Sequence, residues 1–244
     1  MFIYNAKILT MQADNVIENG YVEIEKGKIV SLGEGNPEYI TDSDIDAGGK
    51  TLLPGFIDSH THLGIIENGI DFEGDDCNES TDPFSPQLRA IDGINKAKRY
   101  LDDIQKAEED EDEALPEYDA KCEALVPLLN GEIEAHFHCH RADDIQTAIR
   151  ISREFHLKCV IIHGTEGYKI ADGLSYYNVP VIAGPILCDR CKPEMKDLDL
   201  KNAGILWKNG VKVALCTDHT VIPIQYLPLS AALAVKGGMP YNAA

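Results

Sequence analysis

The sequence predicts an α/β fold in which parallel strands are covered by helices, with a small sheet at its start. In the first fifty residues apolar and polar positions alternate, and YVEIEKGKIVSLGE indicates two strands joined by a turn at Lys26, Gly27 and Lys28. After Gly55 the pattern changes to short apolar runs, rich in β-branched residues, that are separated by helical segments. A hydrophobic content of 44% over 244 residues is enough to fill the core of such a fold.

The first fifty residues predict a small antiparallel sheet. FIYNAKIL precedes the two strands of the turn and has the same alternation. The segment AGGKTLLPG, at 47–55, contains three glycines and a proline, which is typical of a linker between two parts of a chain.

The remainder predicts five parallel strands and four helical regions. The strands are GFIDSHT, EIEAHFHCH, KCVIIHGT, VPVIAGPIL and VKVALCTDH, and the helices lie near 96–129, 141–156, 168–177 and 201–209. Ten carboxylates fall between Asp102 and Asp119, which we interpret as a solvated helix face or a loop.

Charge and composition exclude several classes of partner. Lys and Arg number 22 against 41 Asp and Glu, a formal net charge of −19 that repels nucleic acid and anionic membranes. No apolar run approaches the ~20 residues that span a bilayer, and the start of the chain lacks the apolar middle of a signal peptide. Seven cysteines, an odd number, favour reduced thiols. We therefore expect a cytoplasmic protein.

The most informative pattern is the ending of the strands. A single histidine at a strand end is more often a structural residue than a ligand, but four of the five predicted strands end in a residue that can bind a metal. These residues are His60 and His62, then His136, His138 and His140, then His163, then Asp218 with His219.

These residues predict a metal site with hydrolytic chemistry. Residues two apart in a strand face the same side, so His60 and His62 can address one ion, and active sites of parallel barrels lie at the carboxyl ends of the strands. Imidazole and carboxylate ligands suit Zn²⁺, with Mn²⁺, Fe²⁺ and Ni²⁺ as alternatives. A bound ion lowers the pKa of water from about 15.7 toward about 7, and Asp218 is the candidate base.

PGFIDSHTHLG, HCHRADDIQTAIRISREF, HGTEGYKIAD and VALCTDHTVIPIQYLPLSAALAVKGGM together resemble the amidohydrolase superfamily, and most closely its imidazolonepropionase-related branch. The resemblance implies a (β/α)₈ TIM barrel over 55–244, a small β-sandwich part over 1–54, and one or two divalent ions. It also implies hydrolysis of a carbon–nitrogen bond in a small amide or cyclic amide.

The resemblance also implies roles for individual residues. It places His60, His62, His138, His163 and Asp218 as metal ligands, with Asp218 as the catalytic proton shuttle. His138 best matches the ligand of its strand, with His140 as the fallback and His136 as the least suitable of the three.

Three further residues are weaker candidates for binding the substrate: His140, Glu166 and His219. Glu166 and His219 could equally cap a helix or bond a loop. The expected partner is a small-molecule substrate, which we expect to contact the loops at 64–95 and 188–202; no membrane or nucleic acid is expected.

The sequence departs from the superfamily pattern in two places. RAIDGIN runs directly into KAKRYLDD, where barrel strands two to four and a bridging lysine or glutamate would stand, and GGMPYNAA ends before the last strands of the sandwich. Five strands cannot close as eight do. Three explanations result: a gene product with an internal deletion, part of a longer chain, and a barrel completed by a second subunit in a homo-oligomer. The alternative function is an inactive remnant that serves as a metal-binding or interaction module.

Overall fold

The computed structural model describes residues 1–12, 15–63, 90–110 and 113–244. Contacts divide the chain into two compact units, Met1–Ile57 and Asp58–Asn242. None of the helices in these ranges is both long enough and apolar enough to cross a membrane.

The first unit contains a five-stranded sheet. Its strands lie in the order β3-β2-β1-β4, and β5 also pairs with β1. Ala6, Ile8, Ile17 and Val22 form its buried cluster. The strand bounds are β1 Phe2–Leu9, β2 Val16–Glu25, β3 Lys28–Glu34, β4 Ile45–Asp46 and β5 Thr51–Leu52.

The predicted hairpin is confirmed, but the prediction of a purely antiparallel sheet is wrong. Lys26 and Gly27 both have positive φ, 49° and 76°, as the tight turn of a twisted hairpin requires. β4 and β5, however, run parallel to β1, because the chain crosses back before it pairs with β1. A second sheet is not seen among the described residues of this unit, so the β-sandwich over 1–54 stays a prediction.

The second unit contains a parallel sheet with the order β6-β7-β8-β9. Its strands are β6 Ala135–Cys139, β7 Cys159–His163, β8 Val181–Ala183 and β9 Val213–Leu215. The helices are α1 Ala90–Glu109, α2 Ala120–Leu129, α3 Ala142–Glu154, α4 Ala171–Tyr176, α5 Asn202–Lys208 and α6 Leu227–Lys236. The predicted α/β character is confirmed, since each strand of this sheet is followed by a helix.

Buried apolar residues fix the sheet in place. Ala135 of β6 packs with Ile94 of α1 and with Phe155 and Leu157, which follow α3. A second cluster joins the strands to one another through Val160, Ile162, Ile182 and Cys216. Burial of this kind contributes about 25 cal/mol per Å² of apolar surface to the stability of the sheet. Because the four strands are parallel, their carboxyl ends lie along one edge.

The prediction of about five barrel strands is wrong in one place. GFIDSHT does not form a strand, and Thr61 makes only an isolated parallel bridge to His219. The bridge is extended by two hydrogen bonds, from Asp218 N to His60 O and from His62 N to His219 O. Pro54 and Gly55 stand at the start of this segment, and both disfavour regular ladder pairing. Closure of an eight-stranded barrel therefore stays a prediction.

The predicted helix at 96–129 is two helices. Pro116 lies between them, and the Asp119 carboxylate caps the start of α2 by accepting hydrogen bonds from the amides of Lys121 and Cys122. Sequence analysis also missed α6, although Pro228 stands in its first turn and Gly237 directly after its end.

Two helical glycines make a matched test of packing in the second unit. A Cβ added to Gly204 of α5 would lie 2.7 Å from the Met239 nitrogen, whereas one added to Gly173 of α4 would have no atom within 4 Å. We expect Gly204→Ala to lower the free energy of unfolding by about 1–3 kcal/mol through overpacking. Gly173→Ala should raise it by about 0.5–1 kcal/mol through helix propensity. Equal urea midpoints for the two variants would contradict this packing.

Candidate metal centre

Six of the residues predicted to line the site converge in the second unit, in two groups of three. His60, His62 and Asp218 form the first group, and His138, His140 and His163 form the second. Within each group the nitrogen or oxygen atoms that could bind a metal all lie within 4.8 Å of one another. The rings of His60 and His163, 5.5 Å apart, bring the two groups together.

The first group is built from the segment 58–62 and the end of β9. The Nε2 atoms of His60 and His62 lie 3.4 and 3.0 Å from Oδ1 of Asp218. Asp218 has φ 53°, a left-handed conformation that is uncommon outside glycine and that turns its carboxylate toward the histidines.

Asp58 ties these two segments together. Its carboxylate accepts hydrogen bonds from the backbone nitrogen of Thr217, at 3.1 and 3.2 Å, and from the Thr217 hydroxyl. The hydroxyl of Ser59 adds a bond of 2.8 Å to the carbonyl of Leu215. Thr217 is fully buried, so its amide has no access to water as a replacement partner.

The second group comes from β6 and β7. His138 and His140 are two residues apart and face the same side of β6, and their Nε2 atoms lie 3.1 Å apart. His138 is in register with Ile162, so regular extended backbone would point the next residue, His163, to the opposite side. His163 instead has φ 71°, and its ring lies 4.4 Å from that of His138.

Outer hydrogen bonds orient the two buried imidazoles. Nδ1 of His163 lies 2.7 Å from the carbonyl oxygen of Gly184, which can only accept, so this nitrogen carries the proton and Nε2 offers a lone pair. Nδ1 of His140 lies 2.8 Å from the hydroxyl of Thr165, which also leaves its Nε2 facing the group. Such second partners orient histidine ligands at metal sites.

Partial desolvation keeps the imidazoles of the second group neutral. Desolvation lowers the pKa of His138, His140 and His163 to about 4, and the charges of neighbouring histidines act in the same direction. Burial raises the pKa of Asp218, but the neighbouring imidazoles of His60, His163 and His62 outweigh it, so the pKa lies below its ordinary value. At neutral pH the second group thus presents imidazole lone pairs beside the Asp218 carboxylate.

The donor set fits a divalent transition metal. Oδ1 of Asp218 is buried and has no hydrogen-bond partner in the described part of the chain, although it faces imidazole nitrogens. A cation would supply the missing partner for this oxygen. The groups contain imidazoles and one carboxylate without a thiolate, a combination that suits zinc and its neighbours.

The geometry distinguishes between the weaker candidates. Both carboxylate oxygens of Glu166 are occupied: one accepts from the amide of Ala142 at the start of α3, and the other from Lys169. This favours the capping role for Glu166. His219 accepts from the amide of His62 through its carbonyl, while its buried Nδ1 lacks a hydrogen-bond partner among the described residues. His136 is exposed on β6, 3.9 Å from Glu134, and outside both groups.

Sequence reasoning missed the residues that orient the candidate ligands. Asp58 stands two positions before His60 inside the motif PGFIDSHTHLG, and Thr165 stands two positions after His163. The two-residue spacing from a histidine was therefore a sequence signal that could have identified both Asp58 and Thr165. The Gly184 carbonyl carried none, because a main-chain acceptor has no signature in side-chain patterns.

Comparison with known proteins gives similarities of two kinds. Over 99% of this chain and 85% of the other, the structure is similar to the crystal structure of an amidohydrolase from Thermotoga maritima MSB8, with a TM-score of 0.88 and 29% sequence identity. No family model matches the chain.

Similarity to curated proteins is local. The chain is 52% identical over 61 residues to imidazolonepropionase of Fusobacterium nucleatum, covering 22% of this chain and 15% of that protein. It is 44% identical over 62 residues to 5-methylthioadenosine/S-adenosylhomocysteine deaminase of Bacillus thuringiensis, covering 24% of this chain and 14% of that protein. The matched segments thus span about a seventh of these relatives.

The role of Asp58 can be tested by removing its carboxylate. We expect Asp58→Ala to lower the free energy of unfolding by about 1–3 kcal/mol, because the Thr217 amide loses its partner, and also to weaken zinc binding. Asp44→Ala is the control, since that carboxylate accepts from the amides of Phe2 and Thr41 in the other unit. Calorimetric zinc titrations should show weaker binding for Asp58→Ala only, and equal losses in both variants would contradict the assignment.

The pKa values predict how stability without metal changes with pH. The unfolded chain binds protons at these histidines below about pH 6.5, whereas the folded chain resists protonation down to about pH 4. The free energy of unfolding should therefore fall as the pH is lowered through this window. His163→Asn should flatten the decline in urea titrations at successive pH values; an unchanged slope would contradict the neutral buried state of His163.

Proposed function

We propose, from the premise that this chain is a member of the amidohydrolase superfamily, that it is a metal-dependent hydrolase of carbon–nitrogen bonds in small amides or cyclic amides. The observation that carries the proposal is the approach of two groups of candidate ligands, one with His60, His62 and Asp218 and the other with His163. His138 is the proposed fifth ligand. The proposed fold is a TIM-barrel arrangement with a small N-terminal β-sandwich part.

The residues present divide the work of hydrolysis between them. A divalent ion, with zinc first among the candidates, would supply Lewis acidity and lower the pKa of water. The imidazoles would hold such an ion through lone pairs, and the Gly184 carbonyl keeps the ring of His163 in position. Asp218 is a carboxylate at neutral pH, so it can accept a proton from the attacking water and return it to the leaving nitrogen.

The substrate class is inferred from chemistry shared by the two local relatives. Imidazolonepropionase and 5-methylthioadenosine/S-adenosylhomocysteine deaminase are both named for nitrogen-containing ring compounds. We therefore propose a substrate with a planar ring in which the attacked carbon is bonded to nitrogen. It would be bound by the loops around the centre, and His140 and His219 are the candidates from the sequence that could contact it.

The activity test uses the 244-residue protein loaded with zinc. We expect it to open the ring of imidazolonepropionate or to release ammonia from 5-methylthioadenosine, to lose activity after chelation and to recover it on addition of zinc. Asp218→Asn should lower kcat at least 10²-fold, the scale of general acid–base catalysis. Asp172→Asn, an exposed carboxylate on α4, is the matched control and should be unaffected.

Two results would overturn the proposal. Activity that survives complete metal removal would exclude a metal-dependent mechanism. Zinc-loaded protein that is folded but inactive on every ring substrate would favour the inactive remnant, a metal-binding or interaction module. In that case zinc should raise Tm without turnover.

A further inference from the structure

We propose that a cavity at the amino ends of β7, β8 and β9 binds a phosphorylated small molecule that carries a ring, of the class of a mononucleotide. The cavity has a volume of about 730 Å³, which is typical of sites for small ligands. Lys158, on its rim, directly precedes β7, whereas His163 of the metal centre is the last residue of that strand. A strand of five residues is about 16 Å long, so the cavity and the metal centre are separate sites.

Three equivalent turns between helix and strand build this amino-end cavity. In each turn the helix is followed by a residue with positive φ: His156, Asn178 and Gly210. The next residue is buried, and its amide donates to the carbonyl five residues earlier: Leu157, Val179 and Val211. The residue after that directly precedes a strand: Lys158, Pro180 and Lys212. The repeated turn therefore gives the cavity an apolar floor and sets the positions of its rim residues.

Two lysines stand at matching positions on the rim. Lys158 and Lys212 are exposed and flank Pro180, so their backbones are two strand spacings apart, about 10 Å. The carbonyl of Lys158 accepts from the amide of Ala135 at 2.7 Å, and that of Lys212 accepts from the amide of Val181 at 2.9 Å. These bonds fix both backbones, and the flexible side chains can reach one anionic group between them.

The charge on the rim is opposite to that of the whole chain. Arg153, Lys158 and Lys212 line the cavity with one carboxylate, that of Glu134, although the chain has 41 acidic and 22 basic residues. Neither lysine side chain has a hydrogen bond or ion pair within the described part of the chain. Helix dipoles do not explain the lysines, because both stand four residues beyond a helix end. Such uncompensated ammonium groups favour a phosphate as ligand.

Aromatic and apolar surface favours a ring in the same ligand. Tyr176 lines the cavity and is 78% exposed, so its ring is open to stacking. The guanidinium of Arg153 lies 4.7 Å from the centre of the Tyr177 ring and donates to its hydroxyl at 3.2 Å. This contact positions the guanidinium at the cavity without neutralising its charge. A ring on the apolar floor and a phosphate at the rim would use both parts of the cavity.

Calorimetric titration with adenosine monophosphate (AMP) tests the site, on the 244-residue protein both loaded with zinc and after chelation. We expect AMP to bind in both states, because the cavity contains none of the proposed metal ligands. Inorganic phosphate and adenosine should each bind the metal-free protein at least about 10-fold more weakly than AMP, since each has only one of the two parts. Added salt should weaken AMP binding.

Variants of the rim locate the binding. Lys158→Ala combined with Lys212→Ala should weaken AMP binding at least about 10-fold, through the loss of two charged contacts. Lys208→Ala is the matched control, because Lys208 is an exposed lysine in the last turn of α5 that does not line the cavity. It should bind AMP as the wild type does. Equal urea midpoints would show that the double variant is folded.

Three results would overturn the proposed cavity site. They are no AMP binding by the folded protein, equal affinity of the double variant and the wild type, and binding that disappears on chelation, which would assign AMP to the metal centre. Phosphate that binds as tightly as AMP would overturn the ring as part of the ligand. Hydrolysis of ring substrates is a separate measurement, and a protein without turnover would still be expected to bind AMP.

Discussion

The pairing of the Asp58 segment with the end of β9 is the constraint on which the centre depends. His60 and His62 lie on a segment that is not a strand, so no sheet ladder holds them in position. Asp58, Ser59 and the two main-chain bonds at His60 and His62 provide the attachment instead. Each such bond is worth only about 1 kcal/mol in net stability, so the ligand geometry depends on several acting together.

Electrostatics explains why this arrangement calls for a cation. The buried imidazoles are neutral, and Asp218 is the one carboxylate among the six converging residues. Its buried Oδ1 faces two imidazole nitrogens but has no hydrogen bond within the described residues, and a divalent ion there would neutralise and exceed its charge. The excess positive charge would polarise a bound carbonyl or ring carbon. The net charge of −19 favours cation binding over long distances but does not determine where the cation binds.

The sequence predicted the hairpin, four strands of the second sheet and the convergence of their ends, because period-two patterns and strand-end polarity are local signals. It could not predict that His163 would join His138, since strict alternation points them apart and only a left-handed φ of 71° reverses this. It also could not separate His138 from His140, because both face one side of β6. Side-chain patterns do not record main-chain acceptors such as the Gly184 carbonyl, and α6 was missed despite its end signals.

The six converging residues lie outside the part of the chain where the further barrel strands would stand. The six come from 58–62, the ends of β6 and β7, and Asp218, and none of them lies between 64 and 134. Among the described residues, the proposed ligands therefore come from the four-stranded sheet, its strand ends and the segment tied to β9. Substrate binding needs walls around the ions, and walls are made by loops and neighbouring strands. The proposed metal binding and the proposed turnover therefore depend on different parts of the chain and can be measured separately.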